Sequence, residues 1–174
     1  NNTLTAKYIM LPGNCKEQLT QFQGSKYMQS DFITGFSEIL EQGQGVVIGL
    51  PCQIAGADKL LRLKGMRDQF LLVDLICHGV PTRYLIQRHI KEIQAHCRIT
   101  EISEVHFRYK PKGWKSIYFS VYGDGHRYLK EESKDNFYLY FNLQNCYMGS
   151  CYECNYRIAS CADLRLGDYW GPKY

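Results

Sequence analysis

Four of the eight cysteines in this chain fall within sixteen residues near its C-terminus, and this clustering constrains the fold more than any other feature. They stand in a C-x4-C-x2-C arrangement, followed after six further residues by one more thiol: Cys146, Cys151, Cys154 and Cys161. Nothing marks a small secreted protein, so disulfides are the least favoured explanation. A four-thiolate zinc site usually contains two C-x2-C pairs, and only one is present. The spacing matches the plant-type iron–sulfur pattern, which we favour over structural zinc.

Length and composition indicate an ordinary globular protein. The chain has 174 residues, of which 45% are hydrophobic and 22% are charged, and we expect one domain over residues 1–174. Because the chain begins at Asn1 without Met, we expect an excerpt of a longer protein. No apolar run is long enough to span a bilayer. The net charge of +4 is small and the basic residues are scattered, so we expect no nucleic-acid partner. We also expect a cytoplasmic location.

Two consecutive strand–loop–helix units predict an α/β fold with a small parallel βαβ core. Val46–Leu50 and Phe70–Ile76 are short, continuous apolar runs of the kind found in buried parallel strands. Helical spacing follows each run, over Ile54 to Leu63 and over Arg83 to Cys97, and Thr82 can cap the second helix. Two strands joined by a helix form a right-handed parallel unit, which places the strands side by side.

Further elements are predicted around this core, including an antiparallel hairpin region and the C-terminal cysteine-rich loop. Asp31 can cap a helix that runs to about Gln42. Gly123-Asp124-Gly125 has the composition of a hairpin turn. The remaining predicted elements are strands at Tyr8–Leu11, Val105–Tyr109, Ile117–Tyr122, Arg127–Leu129 and Ala162–Leu166, and helices at Lys16–Phe22 and Asn136–Leu143.

A cysteine follows each of the two core strands. Cys52 and Gln53 stand where a strand passes into a helix N-terminus, a place that favours anions, and Cys77 and His78 follow the second strand. Ligands of open α/β sheets bind at the carboxyl ends of the strands, so we expect Cys52 and Cys77 at one edge of the sheet. The alternatives are that Cys52 is a small apolar packing residue and that His78 is a hydrogen-bonded loop residue.

Four segments, taken together and in this order, carry a family resemblance. Gly24-Ser25-Lys26-Tyr27 is, by itself, either a phosphate-holding loop or a plain turn. With Gly49–Gly56, Asp74–Pro81 and the tail from Cys146 to Gly171, it resembles the beta subunit of coenzyme F420 hydrogenases and dehydrogenases, in its C-terminal domain. The likeness extends from about Tyr8 to Gly171.

The resemblance implies an iron–sulfur flavoprotein oxidoreductase. Beta subunits of this family hold FAD and a [4Fe–4S] cluster, and they pass electrons between a small hydride carrier, such as a deazaflavin, and a redox partner protein or subunit. The resemblance gives a cofactor-binding role to Ser25, Lys26 and Gln53, and we add His78 as a further candidate.

The resemblance also assigns Cys146, Cys151 and Cys154 to the cluster, and it leaves the fourth ligand open. The two candidates for the fourth ligand are Cys52 and Cys161, and Cys77 ranks after them. We favour Cys52, because it would tie the cluster to the flavin-binding loop.

Two other functions stay open at this point. One is an interaction module that holds a metal cluster and performs no turnover. The other is an accessory protein of polysaccharide biosynthesis that uses the same fold. Iron, sulfide and flavin analysis of anaerobically prepared protein separates the enzyme from the interaction module.

Overall fold

The computed structural model describes residues 23–169 and Gly171. The strand predicted at Tyr8–Leu11 and the helix predicted at Lys16–Phe22 lie outside the described residues. The elements, in chain order, are α1 (Phe32–Glu41), β1 (Gly45–Gly49), α2 (Pro51–Leu63), β2 (Phe70–Leu75), α3 (Arg83–Cys97), β3 (Glu104–Tyr109), β4 (Tyr118–Gly123), β5 (His126–Glu131), α4 (Asn136–Asn142), α5 (Gly149–Tyr152) and β6 (Leu164–Leu166). Among these helices, none is long and apolar enough to cross a membrane.

The first sheet is parallel and has the strand order β1-β2-β6. Val47 of β1 pairs with Leu72 of β2, which confirms the predicted parallel pairing of the two apolar runs. The strand β6 pairs with the other side of β2, where Leu75 stands opposite Leu166. This third strand brings the end of the chain beside the middle strand of the sheet.

The helices α1 and α2 cover one face of the parallel sheet. Phe36 of α1 and the α2 residues Ile54 and Leu61 pack with Val47 and Leu72 in one buried cluster. Asp31 caps α1, since its carboxylate accepts the Thr34 N–H, as the sequence predicted. The apolar runs can thus form strands here because helices cover one face of the sheet and bury the side chains on it.

The opposite face of the same sheet is apolar and open. Side chains that alternate with the helix-facing ones point to this side, and they are between 41% and 59% exposed: Val46, Ile48, Leu71, Leu164 and Leu166. Their register distributes them across all three strands.

The second sheet is antiparallel, with the strand order β3-β4-β5. Its hairpin turn consists of Asp124 and Gly125, whose φ angles are 50° and 74°, between the paired residues Gly123 and His126. Two central turn residues with positive φ are typical of a type I′ turn, so the predicted hairpin is confirmed. An aromatic-rich core joins this sheet to α3 and α4 and includes Ile86, Phe107, Phe119, Phe137 and Tyr138.

The helix α2 begins earlier than its hydrophobic spacing indicated. Pro51 is its first residue, so Cys52 and Gln53 belong to the first helical turn and not to a preceding loop. Proline suits this position because its φ is already helical and its missing N–H would be unpaired there. The side chain of Gln53 completes the start of the helix: its Oε1 accepts the Leu50 N–H at 2.8 Å.

Candidate functional site

Cys52 and Cys77 lie at the carboxyl edge of the parallel sheet. Cys52 comes three residues after the end of β1, and Cys77 comes two residues after the end of β2. Because β1 and β2 run parallel, their ends bring the two thiols to the same place, as the sequence predicted. The two thiols are close enough for Cys77 to raise the pKa of Cys52.

The cysteine loop approaches this edge from the other end of the chain. Cys151 lies in the short helix α5, and Cys154 follows two residues after that helix. Both thiols act electrostatically on Cys52 and on Cys77. The four thiols, from two strand ends and one loop, are therefore near enough to influence one another's ionisation.

Backbone contacts fix the loop beside the strand ends. Pro81, just after Cys77, forms an isolated antiparallel bridge with Tyr147. The N–H groups on either side complete the pairing: Met148 N–H donates to Val80 O at 2.9 Å, and Thr82 N–H donates to Cys146 O at 2.8 Å. These backbone hydrogen bonds thus hold the cysteine loop beside the segment that follows β2.

The local environment of Cys52 and Cys77 contains opposing influences on their ionisation. Partial burial raises the pKa of both thiols, and the neighbouring thiols raise it further. The Gln53 N–H donates to the sulfur of Cys52, and the Gly79 N–H donates to that of Cys77; each bond lowers the pKa. The charge of Arg157 also lowers the pKa of Cys77. On balance the pKa of both thiols is raised, so without a bound cation their neutral form is favoured.

Cys146 and Cys161 have different surroundings. Cys146 packs against the aromatic-rich core, and its pKa is raised by burial. Cys161 is exposed and lies near Arg62 of α2, whose pKa it raises together with Asp58. Neither thiol is among the main charges that act on Cys52 or Cys77. Their ligand roles stay predictions.

The seven cysteines of the described part of the chain are all free thiols. Among residues 23–169, no group of three or more His, Cys, Asp or Glu side chains is arranged to hold a single metal ion.

A cavity of about 790 Å³ opens beside Cys52. This volume lies in the range of small-molecule sites. It lies between the beginnings of three helices, and its lining includes Phe32, Phe36, Cys52, Gln53, Leu60 and Arg83. The cavity thus combines aromatic and aliphatic walls with one guanidinium group and with the carboxylate of Asp31, whose charge acts on Arg83.

One of the predicted cofactor residues, Gln53, lines this cavity, and the other three do not. Lys26 donates from Nζ to the carbonyl of Gln23 at 3.0 Å. Ser25 hydrogen-bonds to the Tyr27 hydroxyl and lowers the pKa that burial has raised. His78 is exposed in the loop after β2. The structure therefore brings Gln53 and Cys52 together and leaves Ser25, Lys26 and His78 outside the cavity.

Sequence reasoning missed an ion pair next to the cysteines. Asp74, near the end of β2, is fully buried, and it pairs in register with Arg165 of β6. Their side chains form a salt bridge at 2.7 Å. A lone carboxylate within an otherwise apolar strand is the signal that could have pointed to it, because a buried charge requires a partner.

The comparison with known protein families identifies the chain. The family model that describes the C terminus of the coenzyme F420 hydrogenase/dehydrogenase beta subunit matches residues 44–173. The chain belongs to this family. The match spans both sheets and includes all six cysteines discussed above. It confirms the family named from the sequence, while the segment Gly24–Tyr27 lies outside the matched residues.

No curated protein and no solved structure gives a significant match to this chain. The description of the family names the beta subunit of a hydrogenase or dehydrogenase, which is a redox function in an enzyme of more than one subunit.

Proposed function

We propose that this protein is an iron–sulfur flavoprotein oxidoreductase of the beta-subunit type. The observation that carries the proposal is the convergence of Cys52, Cys77, Cys151 and Cys154 at the carboxyl edge of the parallel sheet. When bound, FAD would exchange a hydride with a small carrier such as a deazaflavin, and a [4Fe–4S] cluster would carry single electrons to a redox partner protein.

The four converging thiols are the proposed cluster ligands. This set keeps Cys52, Cys151 and Cys154 of the sequence-based prediction and takes Cys77 in place of Cys146. The support for Cys77 is electrostatic proximity to Cys151 and Cys154, together with its N–H donor from Gly79. Hydrogen bonds to the sulfurs tune the reduction potential of such clusters, so Gln53 N–H and Gly79 N–H would raise the potential.

The cavity beside Cys52 is the proposed flavin and hydride-carrier site. Phe32 and Phe36 form an apolar wall for a planar ring, and Arg83 supplies a positive charge for a phosphate or an anionic ring. Cys52 lines the cavity and also belongs to the thiol group, so it would keep the two cofactors close to each other. A role for Ser25, Lys26 or His78 would involve a part of FAD outside the cavity.

The experiment is anaerobic preparation of the protein with analysis of iron, sulfide and flavin. We expect about four irons per chain, flavin absorbance, and a paramagnetic signal on reduction, as a [4Fe–4S] cluster would give. Iron and sulfide without flavin would instead indicate the interaction module. Absence of iron after reconstitution would refute the proposal.

Single Cys→Ser variants decide the ligand set. Replacement of Cys52, Cys77, Cys151 or Cys154 should each remove most of the iron. Cys97→Ser in α3 is the matched control and should keep it. If Cys146→Ser loses iron and Cys77→Ser keeps it, Cys146 is the ligand, as the sequence predicted. If Cys161→Ser loses iron and Cys52→Ser keeps it, Cys161 is the ligand and Cys52 is not.

We also propose a cytoplasmic location, because thiolate ligands must stay reduced and the cytosol keeps thiols reduced.

A further inference from the structure

The ion pair between Asp74 and Arg165 joins two segments that carry cysteines. Asp74 lies three residues before Cys77 in β2, and it is fully buried. Arg165 lies in β6, after the loop that carries Cys151 and Cys154. The two partners are 91 residues apart in sequence and stand opposite each other in adjacent parallel strands.

The carboxylate of Asp74 has its side-chain partners in the C-terminal segment. Arg165 donates from Nε to Oδ1 and from Nη2 to Oδ2, both at 2.7 Å, in a bidentate pair. Ser160 Oγ donates to Oδ2 at 2.7 Å, and it accepts the Ala162 N–H at 3.0 Å. Arg165 and Ser160 together hold the pKa of Asp74 below its ordinary value.

The remaining N–H groups of Arg165 point into the cysteine loop. Nη2 donates to the Tyr156 carbonyl at 3.4 Å, and Nη1 donates to the carbonyls of Arg157 and Ile158 at 3.3 and 3.5 Å. These three carbonyls follow closely after Cys154 in the chain. Arginine has five N–H donors in a rigid planar fork, and all of them are matched here.

We propose that Arg165, anchored by Asp74, is a positioning residue that holds the loop after Cys154 so that Cys151 and Cys154 face Cys77 and Cys52. The inference rests on the proposed function for its link to a cluster. The geometry supports it independently, because one guanidinium contacts both the strand that leads to Cys77 and the carbonyls that follow Cys154. Lysine has neither the fork nor the number of donors to replace it.

The first test compares Arg165→Lys, Arg165→Gln and Asp74→Asn with the unchanged protein. After anaerobic reconstitution, we expect about tenfold or greater weakening of iron binding in each variant, the size found for residues that orient metal ligands. Ser160→Ala removes one hydrogen bond and is a milder variant that should fold; we expect a smaller loss of the same kind.

The matched control is Asp135→Asn. Asp135 is also a buried aspartate, 1% exposed, and its carboxylate contacts Tyr128, Phe137 and His89, none of which belongs to the cysteine loop. The control should lose stability without a comparable loss of iron binding. Equal loss of iron in Asp135→Asn and Asp74→Asn, at matched stability, would show that Arg165 acts only through general stability and would overturn the inference.

A second readout uses metal-free protein and does not depend on a cluster. Alkylation by iodoacetamide, followed for each cysteine by peptide mass spectrometry, reports the exposure of the loop. In Arg165→Gln and Ser160→Ala we expect faster alkylation of Cys151 and Cys154 and an unchanged rate at Cys97. Unchanged rates at Cys151 and Cys154 would refute the positioning role, whereas failure of the unchanged protein to bind iron would refute only the proposed function.

Discussion

The backbone of Gly79 lies directly against the aromatic ring of Tyr147. A Cβ atom on Gly79 would stand 2.4 to 2.9 Å from three ring atoms of Tyr147, and the φ angle of Gly79 is 132°. Tyr147 is buried, at 5% exposure, so its ring has little room to move. This contact brings the loop after Cys77 against the start of the cysteine loop, where the Gly79 N–H donates to the sulfur of Cys77.

Gly79→Ala should therefore destabilise the protein and disturb the thiols. We expect a loss of about 1–3 kcal/mol in the free energy of unfolding, because both the positive φ and the ring contact oppose a methyl group. Thermal or denaturant unfolding of metal-free protein measures it. Gly56→Ala in α2 is the control: a Cβ there meets nothing within 4 Å, and alanine should stabilise the helix. Equal stabilities of the two variants would contradict the expectation.

Gln53 can be tested for its structural role separately from a flavin role. Its Oε1 accepts the Leu50 N–H at 2.8 Å at the start of α2. Gln53→Ala should lower the free energy of unfolding by about 0.5–2 kcal/mol, as for the loss of other helix-capping acceptors. Gln53→Glu keeps an acceptor near the positive helix end and should keep most of the stability.

Flavin titration of the same two variants then separates the roles. The new carboxylate of Gln53→Glu would repel an anionic flavin, so the titration is run at high salt, which screens this repulsion. If Gln53 serves only the helix start, Gln53→Glu should then bind flavin as the unchanged protein does. Weaker flavin binding by a fully stable Gln53→Glu at high salt would show a direct contact with the cofactor.

Arg157 should control the ionisation of Cys77. Its guanidinium donates to the Cys151 carbonyl, and its charge lowers the pKa of Cys77, against the effect of burial. Arg157→Gln should raise the pKa of Cys77, so alkylation of this thiol in metal-free protein should need a higher pH. Arg157→Lys keeps the charge and should have a smaller effect. Identical pH profiles for the unchanged protein and Arg157→Gln would rule out the electrostatic contact.

Asp135 should make stability depend on pH. Burial alone would raise the pKa of Asp135, but His89, the Tyr128 hydroxyl and the Phe137 N–H outweigh it and hold that pKa below its ordinary value. His89 Nε2 lies 3.2 Å from Asp135 Oδ1, without the alignment of a regular hydrogen bond. The hydroxyl of Tyr128 donates at 2.8 Å.

The lowered pKa of Asp135 means that its ionised form stabilises the fold. The carboxylate contributes stability above the unfolded pKa of about 3.9, and this contribution is lost as the pH falls through the lower folded pKa. Asp135→Asn should cost about 1–3 kcal/mol at pH 7, and the difference from the unchanged protein should shrink below about pH 4. Denaturant unfolding at several pH values measures this. The exposed Glu92→Gln should change stability by less than about 1 kcal/mol; a pH-independent difference for Asp135→Asn would contradict the argument.

The sequence predicted the local elements well because their signals are local. The apolar runs that became β1 and β2, the caps Asp31 and Thr82, and the hairpin turn at Asp124 each depend on a few neighbouring residues. Right-handed connection of parallel strands then placed Cys52 and Cys77 at one edge. The start of α2 was predicted too late because hydrophobic spacing does not detect a proline at the first helical position.

The C-x4-C-x2-C spacing indicated a thiolate site, but it could not decide which distant thiols lie beside it. That depends on how the cysteine loop meets the two strand ends. The loop is held there by the pairing of β6 with β2 and by the contact of Arg165 with Asp74, between residues that are 91 positions apart.

The sequence alone thus determined the family, the α/β units and the clustering of thiols, since these follow from residue type and short-range spacing. Only the tertiary structure decided that Cys77 lies beside Cys151 and Cys154 and that an arginine joins the two segments. The physical reason is that a strand and a buried carboxylate each need a partner, and here that partner is distant in the sequence. The sequence pattern does not specify which distant residue it is.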